Sequence, residues 1–157
     1  MVDPRLMVVL KRVVARLENR SVNWALVGSL GLAIRGVPVE PHDIDLMTDR
    51  KGAYEIERIF SEFVKERVAL RISENIQSHY GALKMDGIKI EIMGEFRLRR
   101  KDGGWDEAPD LPMLRRLVKV EDIDVPVLAL EWEHHSYSAL GRTERAGAIA
   151  EVQRAGK

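Results

Sequence analysis

The feature that most constrains this chain is a pair of apolar-alternating stretches joined by Asp86-Gly87. Asp-Gly accepts positive φ at both positions, and that turn matches the twist of two antiparallel strands. It predicts a hairpin of strands 78–85 and 88–93. In the second strand Ile88, Ile90 and Ile92 fall on one side, and Lys89, Glu91 and Met93 on the other, because side chains alternate along a strand.

The rest of the chain supplies helices and further strands. Asp3-Pro4 marks a helix start, with Asp as cap and Pro at the first helical position. Leu6, Val9, Leu10, Val13, Val14 and Leu17 recur at helical spacing, so 4–19 reads as an amphipathic helix. The run 22–27 reads as a buried strand ending at Gly28, and 29–35 as a short helix closed by Gly36. The pattern continues with a loop over 37–42, a strand over 43–48, a turn over 49–52, a helix over 52–65 and a strand over 67–73. After the hairpin, 94–113 reads as loop and 114–120 as a strand. Pro126–Leu128 leads into a helix over 129–140, and Thr143 caps a last helix after Gly141. The order predicts an α/β (α+β) fold, a mixed and partly antiparallel central sheet flanked by helices. A length of 157 residues predicts one domain over 1–157, with a core at about 22–120 and C-terminal helices at about 129–155.

Composition narrows the function classes. At 45% hydrophobic and 32% charged, the chain is globular rather than disordered. Lys+Arg and Asp+Glu are 25 each, so no whole-chain field draws it to nucleic acid or an acidic membrane. Nucleic acid is therefore not a favoured partner. The absence of cysteine excludes disulfides, Cys-based zinc or iron–sulfur sites and a thiol nucleophile. The longest uncharged run, 21–34, is too short for a membrane span. Asp3 and Arg5 precede the first apolar stretch without a cleavage-site pattern, so no signal peptide and a cytoplasmic location are expected. Only three Asn and two Gln accompany the many charges, a balance that points to a thermophilic source.

Three features carry chemistry. Gly28-Ser29 lies at a strand-to-helix junction, where glycine allows close approach to a ligand and a helix start suits phosphate. The same dipeptide also serves as plain turn and cap chemistry. Asp43 and Asp45 are two apart on a strand and share a face. They can share a divalent cation, or form a solvated strand edge. Glu91 is either a salt-bridge partner of Lys89 or a third carboxylate, if its strand pairs beside that of Asp43.

In combination these stretches resemble the polymerase-beta-like nucleotidyltransferase superfamily, most closely its small, minimal prokaryotic members. The resemblance rests on Trp24-Ala25-Leu26-Val27-Gly28-Ser29, on Pro41-His42-Asp43-Ile44-Asp45-Leu46 and on Lys89-Ile90-Glu91-Ile92-Met93. It extends through Pro126-Val127-Leu128-Ala129-Leu130-Glu131 and Leu140-Gly141-Arg142, covering about 22–145. It implies a Mg²⁺-dependent enzyme with two metal ions, moving a nucleoside monophosphate from a nucleoside triphosphate to an acceptor hydroxyl. By resemblance Asp43 and Asp45 bind both ions, and Glu91 completes the site that activates the attacking hydroxyl. Gly28 and Ser29 hold the β- and γ-phosphates. The third acid is commonly Asp in the superfamily and is Glu here. Tyr137 stands where many relatives place a lysine; Arg142, about one turn further along, is the candidate substitute for a phosphate contact, or else a plain surface arginine. His42 is a further candidate contact for phosphate or acceptor.

The acceptor is left open among a small molecule, a protein and an RNA end, and a homodimer that completes the cleft is neither required nor excluded. The rival class is a catalytically inactive nucleotide- or partner-binding module of the same fold. Other motifs read as structural. Asp122-Ile123-Asp124 is a turn of solvated acids, His134-His135 lack the spacing of a helical zinc pair, and His79-Tyr80 form a core-edge pair or line the acceptor pocket. Arg97, Arg99, Arg100 and Lys101 belong to a solvated loop or guide a nucleotide or RNA acceptor.

Overall fold

The computed structural model describes residues 2–156. Helix α1 (Pro4–Leu17) starts on Asp3, whose carboxylate accepts from the Arg5 N–H at 2.9 Å. Strand β1 (Trp24–Val27) runs into α2 (Gly28–Ala33), and β2 (Ile44–Thr48) into α3 (Arg50–Ile59). Three strands follow: β3 (Val64–Ile72), β4 (Ile76–Met85) and β5 (Ile88–Leu98). A short α4 (Leu111–Leu114) leads to β6 (Arg115–Val120) and β7 (Ile123–Leu128), and α5 (Leu130–Ala139) and α6 (Thr143–Ala155) end the chain.

The seven strands form one mixed sheet in the order β3-β4-β5-β2-β1-β7-β6. The Asp-Gly hairpin stands as its sequence predicts: Asp86 and Gly87 take φ of 51° and 81°, and Met85 pairs with Ile88. Beside it β2 pairs with β5 in parallel, and β1 pairs with β2 antiparallel. Period-two alternation then sorts the faces. Leu26, Ile44, Leu46, Ile90 and Ile92 pack under α1 and α3, against Leu6, Leu10, Leu17, Ile56 and Phe60. Ala25, Val27 and Met47 point to the other face, with Phe96, Leu128 and Trp132. Leu32, Val37, Tyr137 and Ile149 join α2, α5 and α6.

Several elements differ from the sequence expectation. The helix expected over 52–65 begins earlier, because Asp49 caps it by accepting from Gly52 N–H at 2.7 Å, so 49–52 is no free turn. It also ends earlier, at Ile59, and a 3-10 turn over Ser61–Phe63 delivers the chain into β3. Arg16 of α1 holds that end. It donates to the Ile59 carbonyl at 3.2 Å, pairs with Glu62 at 3.0 Å and stacks over Phe60 and Phe63. A cation at the carbonyl end of a helix is a stabilising terminus. Strand β5 extends to Leu98, so Arg97 lies on a strand. Arg99 and Arg100 are exposed, and they bond local carbonyls and Asp102.

The sequence predicts one turn for the acids at 122–124, yet Asp124 lies in strand β7 and pairs with Lys119 at 3.1 Å. Pro126, which lacks a ladder donor, hid this strand. The turn itself is Glu121-Asp122, and Lys11 of α1 pairs with both at 2.8 and 3.0 Å. Thr143 is the first residue of α6 rather than its cap; Arg142 occupies the cap position without a side-chain cap bond.

Gly94 of β5 lies against α3. A Cβ there would stand 2.7 Å from the Ala53 Cβ and 2.8 Å from the Asp49 carbonyl oxygen. Overpacking of this kind costs about 1–3 kcal/mol. Gly94→Ala is expected to lower the thermal midpoint by several degrees, at about 2–4 °C per kcal/mol for a chain of this size. An unchanged midpoint would mean that α3 can draw away from β5 without loss.

Candidate active site

The parallel β2–β5 register places Asp45 directly opposite Glu91. The antiparallel β1–β2 register places Val27 opposite Asp45, so the Gly28-Ser29 turn follows beside it. Asp43 lies two residues before Asp45, at the start of β2. The fold thus brings Gly28, Ser29, Asp43, Asp45 and Glu91 to one end of one sheet face. Gly28 is needed at its position. It has φ +74°, and a Cβ would fall 2.3 Å from Asp45 Oδ2. Only glycine lets the turn sit against that carboxylate.

Asp45 is half-buried, but its Oδ1 is fully enclosed and has no hydrogen-bond partner. Burial pushes its carboxyl well above the ordinary range, and its hydrogen bond with Glu91 and the charges of Glu91 and Asp43 push the same way. Burial also pushes Glu91 up, but hydrogen bonds with Asp45, Tyr80 and Lys89 outweigh it and hold Glu91 below the usual range. The Tyr80 hydroxyl donates to Glu91 Oε1 at 2.6 Å, and Lys89 Nζ lies 3.2 Å from the same oxygen. Tyr80 itself is pushed up to about 12 by burial and by Glu91, so it remains a donor.

A cavity of about 260 Å³ opens over this row, lined by Gly28, Asp45, Glu91, Trp132, Glu133 and Arg142 among others. Arg142 is exposed, with its guanidinium 5.1 Å from the Tyr137 ring centre. His42 is exposed on the loop before β2.

Sequence reasoning missed two participants. Tyr80, expected at a core edge, faces Glu91 because β4 packs its even-numbered residues onto the carboxylate face. Alternation in the hairpin carried that signal. Glu133 of α5 had no signal. It is 2% exposed and accepts from the Gly28 N–H at 3.1 Å and from Arg35 Nη2 at 2.9 Å. Arg35 also donates to Gly31 O and Leu128 O at 2.9 and 2.7 Å. The Gly28 amide expected for phosphate is thus engaged by a carboxylate.

The donors suit a hard cation. They are carboxylate oxygens, one of them buried and unpartnered. Among the described residues no group of three or more His, Asp or Glu converges to hold a metal ion alone. Magnesium fits such a site because it takes one or two carboxylates and completes its shell with water and substrate phosphates.

The family profile of aminoglycoside-2″-adenylyltransferase matches residues 9–154. The chain belongs to that family. It is a small protein of the nucleotidyltransferase fold, and its enzyme class is nucleotidyl transfer. The crystal structure of TM1012 from Thermotoga maritima, provisionally named a nucleotidyltransferase, is 48% identical. The match covers 98% of this chain and 96% of that one, with a TM-score of 0.87. Two more distant structures share the fold. The lincomycin-bound lincosamide antibiotic adenylyltransferase LnuA is 13% identical over 96% of this chain and 98% of its own, at TM-score 0.58. ANT(2″)-Ia with adenylyl-2″-tobramycin is 11% identical over 98% and 99%, at 0.55. No curated protein matches the sequence. No helix among the described residues is long and apolar enough to cross a membrane.

Burial pushes Glu133 up to about 7, against the opposing pull of Arg35 and the Gly28 amide. Its folded value lies above its unfolded one, so its contribution to stability is full at low pH and is lost as pH rises from about 4.5 to about 7. Relative to Glu133→Gln, the wild-type protein is expected to lose roughly 3 kcal/mol across that window. Denaturant unfolding of both metal-free proteins at several pH values measures this. A gap that stays constant, or widens in favour of wild type, would make Glu133 an ordinary ion-pair partner.

Proposed function

We propose that the chain transfers a nucleoside monophosphate from a Mg²⁺-bound nucleoside triphosphate to a hydroxyl of an acceptor, at Asp43, Asp45 and Glu91. The observation that carries this reading is the register of Asp45 opposite Glu91, beside a glycine turn that packs against the same carboxylate. The family's name and the two antibiotic adenylyltransferases of like fold favour ATP as the donor.

Asp43, Asp45 and Glu91 would hold the magnesium. Bound there, it neutralises charge on the attacking and leaving oxygens. The chain's own residues do the rest. Asp45 must be ionised to serve as a ligand. Ser29 binds the triphosphate oxygens, and Arg142, on the rim of the same cavity, neutralises their charge. Glu91 is kept ionised by Tyr80 and Lys89, and it accepts the proton of the acceptor hydroxyl. The bond from the acceptor oxygen to the α-phosphorus forms as the bond to pyrophosphate breaks, with the two oxygens in line. Trp132 and its apolar neighbours exclude water that would otherwise compete as acceptor.

The test is isothermal titration with each nucleoside triphosphate, with and without Mg²⁺, on wild type and on Asp43→Ala/Asp45→Ala. Magnesium-dependent binding is expected in wild type and absent in the double variant, with circular dichroism showing both folded. A folded wild-type protein that binds no triphosphate would make the chain an inactive module of the same fold.

A further inference from the structure

The carboxylate row divides its sheet face into two sides. On the β1 side lies the Gly28-Ser29 turn. On the other side β5, β4 and β3 continue outward. In-line displacement puts the attacking oxygen opposite the leaving pyrophosphate. With the triphosphate on the Gly28-Ser29 side, the acceptor comes in over β5 and β4.

That side has its own cavity of about 350 Å³, separate from the one under α5. Asp43, Lys65, Glu66, Lys84 and Lys89 supply its charged lining. Lys84 stands directly opposite Lys89 in the β4–β5 ladder. Like charges in that position destabilise a sheet, so hairpin folding alone does not account for them. Lys89 is balanced by Glu91 at 3.2 Å, and Glu66 is engaged by Arg71 at 3.5 Å. Among the described residues Lys65 and Lys84 form no ion pair. The cavity wall beside Asp43 therefore carries an excess of ammonium groups.

We infer that the acceptor is a small hydroxylated anion, a molecule of sugar size bearing a phosphate or carboxylate that Lys65 and Lys84 bind while its hydroxyl faces Asp43 and Glu91. This rests on the nucleotidyl-transfer reading above and names the acceptor class for it. A polycation such as tobramycin meets like charge in this cavity. An anion relieves the Lys84–Lys89 repulsion and gains charge-assisted hydrogen bonds.

The experiment uses protein saturated with Mg²⁺ and a non-cleavable α,β-methylene analogue of whichever triphosphate binds. Ribose 5-phosphate, gluconate, ribose, tobramycin and a short single-stranded RNA are titrated in turn. At least one of the two small anions is expected to bind about tenfold or more tighter than ribose and tobramycin. Lys65→Ala/Lys84→Ala is expected to weaken that anion by about tenfold, with triphosphate affinity measured separately on the same variant. Tobramycin or ribose binding as tightly as both anions overturns the inference, as does failure of both anions or an unchanged affinity in the double variant. Loss of triphosphate affinity in that variant would put the lysines on the nucleotide and also overturn it. RNA binding tighter than either small anion would move the charge to a nucleic-acid end and overturn the small-molecule class. Absence of triphosphate binding in wild type is a separate result, which defeats the catalytic reading itself.

Discussion

The parallel ladder between β2 and β5 is the interaction on which the rest of this molecule depends. Parallel neighbours cannot be joined by a tight turn, so the chain must leave the sheet and return between them. Here it leaves through α3 and comes back through the β3–β4 hairpin arm. That detour buries Ile56 and Phe60 against the isoleucine face of β5. It also fixes the register to the residue. A slip of one position would turn Glu91 toward the apolar layer and an isoleucine toward Asp45. The same alternation that satisfies the core therefore assembles the acids.

The assembled acids exist in a state that water would not give them. Two carboxyl groups in contact cannot both ionise at ordinary cost. The fold eases this by surrounding Glu91 with donors, while burial and the neighbouring acids push the Asp45 carboxyl toward its neutral form. Tyr80 and Lys89 stabilise the charge on Glu91, while Asp45 Oδ1 stays buried without a partner. An unsatisfied buried oxygen is a stability cost retained in the folded chain, and a cation is the ligand that relieves it.

The readable parts of the sequence were those governed by local rules. The Asp-Gly turn, the Asp3-Pro4 helix start and the alternation of Ile88, Ile90 and Ile92 each depend on neighbours within a few residues, and the structure repeats them. The faces of Asp43, Asp45 and Glu91 were legible for the same reason, whereas their meeting depended on a strand pairing that spacing alone does not fix. The illegible parts were set by distant contacts. The early end of α3 depends on Arg16, far back in α1. Strand β7 was masked by Pro126, which the register tolerates because β7 meets β1 along only a short length. Glu133 shows the limit most plainly. It sits in an unremarkable helix sequence, yet it reaches a backbone amide more than a hundred residues earlier in the chain.

That short meeting of β7 and β1 has a consequence for how the molecule breathes. The recorded ladder there is one residue pair, Leu26 with Val127. Arg35 completes the seam by bonding Leu128, Gly31 and Glu133 together. A guanidinium thus does the joining that a run of amides does elsewhere in the sheet. The β6–β7 hairpin is therefore expected to be the unit that opens before the centre of the sheet, its amides exchanging ahead of those of β2 and β5. Since Leu128 leads directly into α5, each such opening also loosens the helix that roofs the carboxylates, tying access to the site to the slow fluctuation of one edge of the sheet.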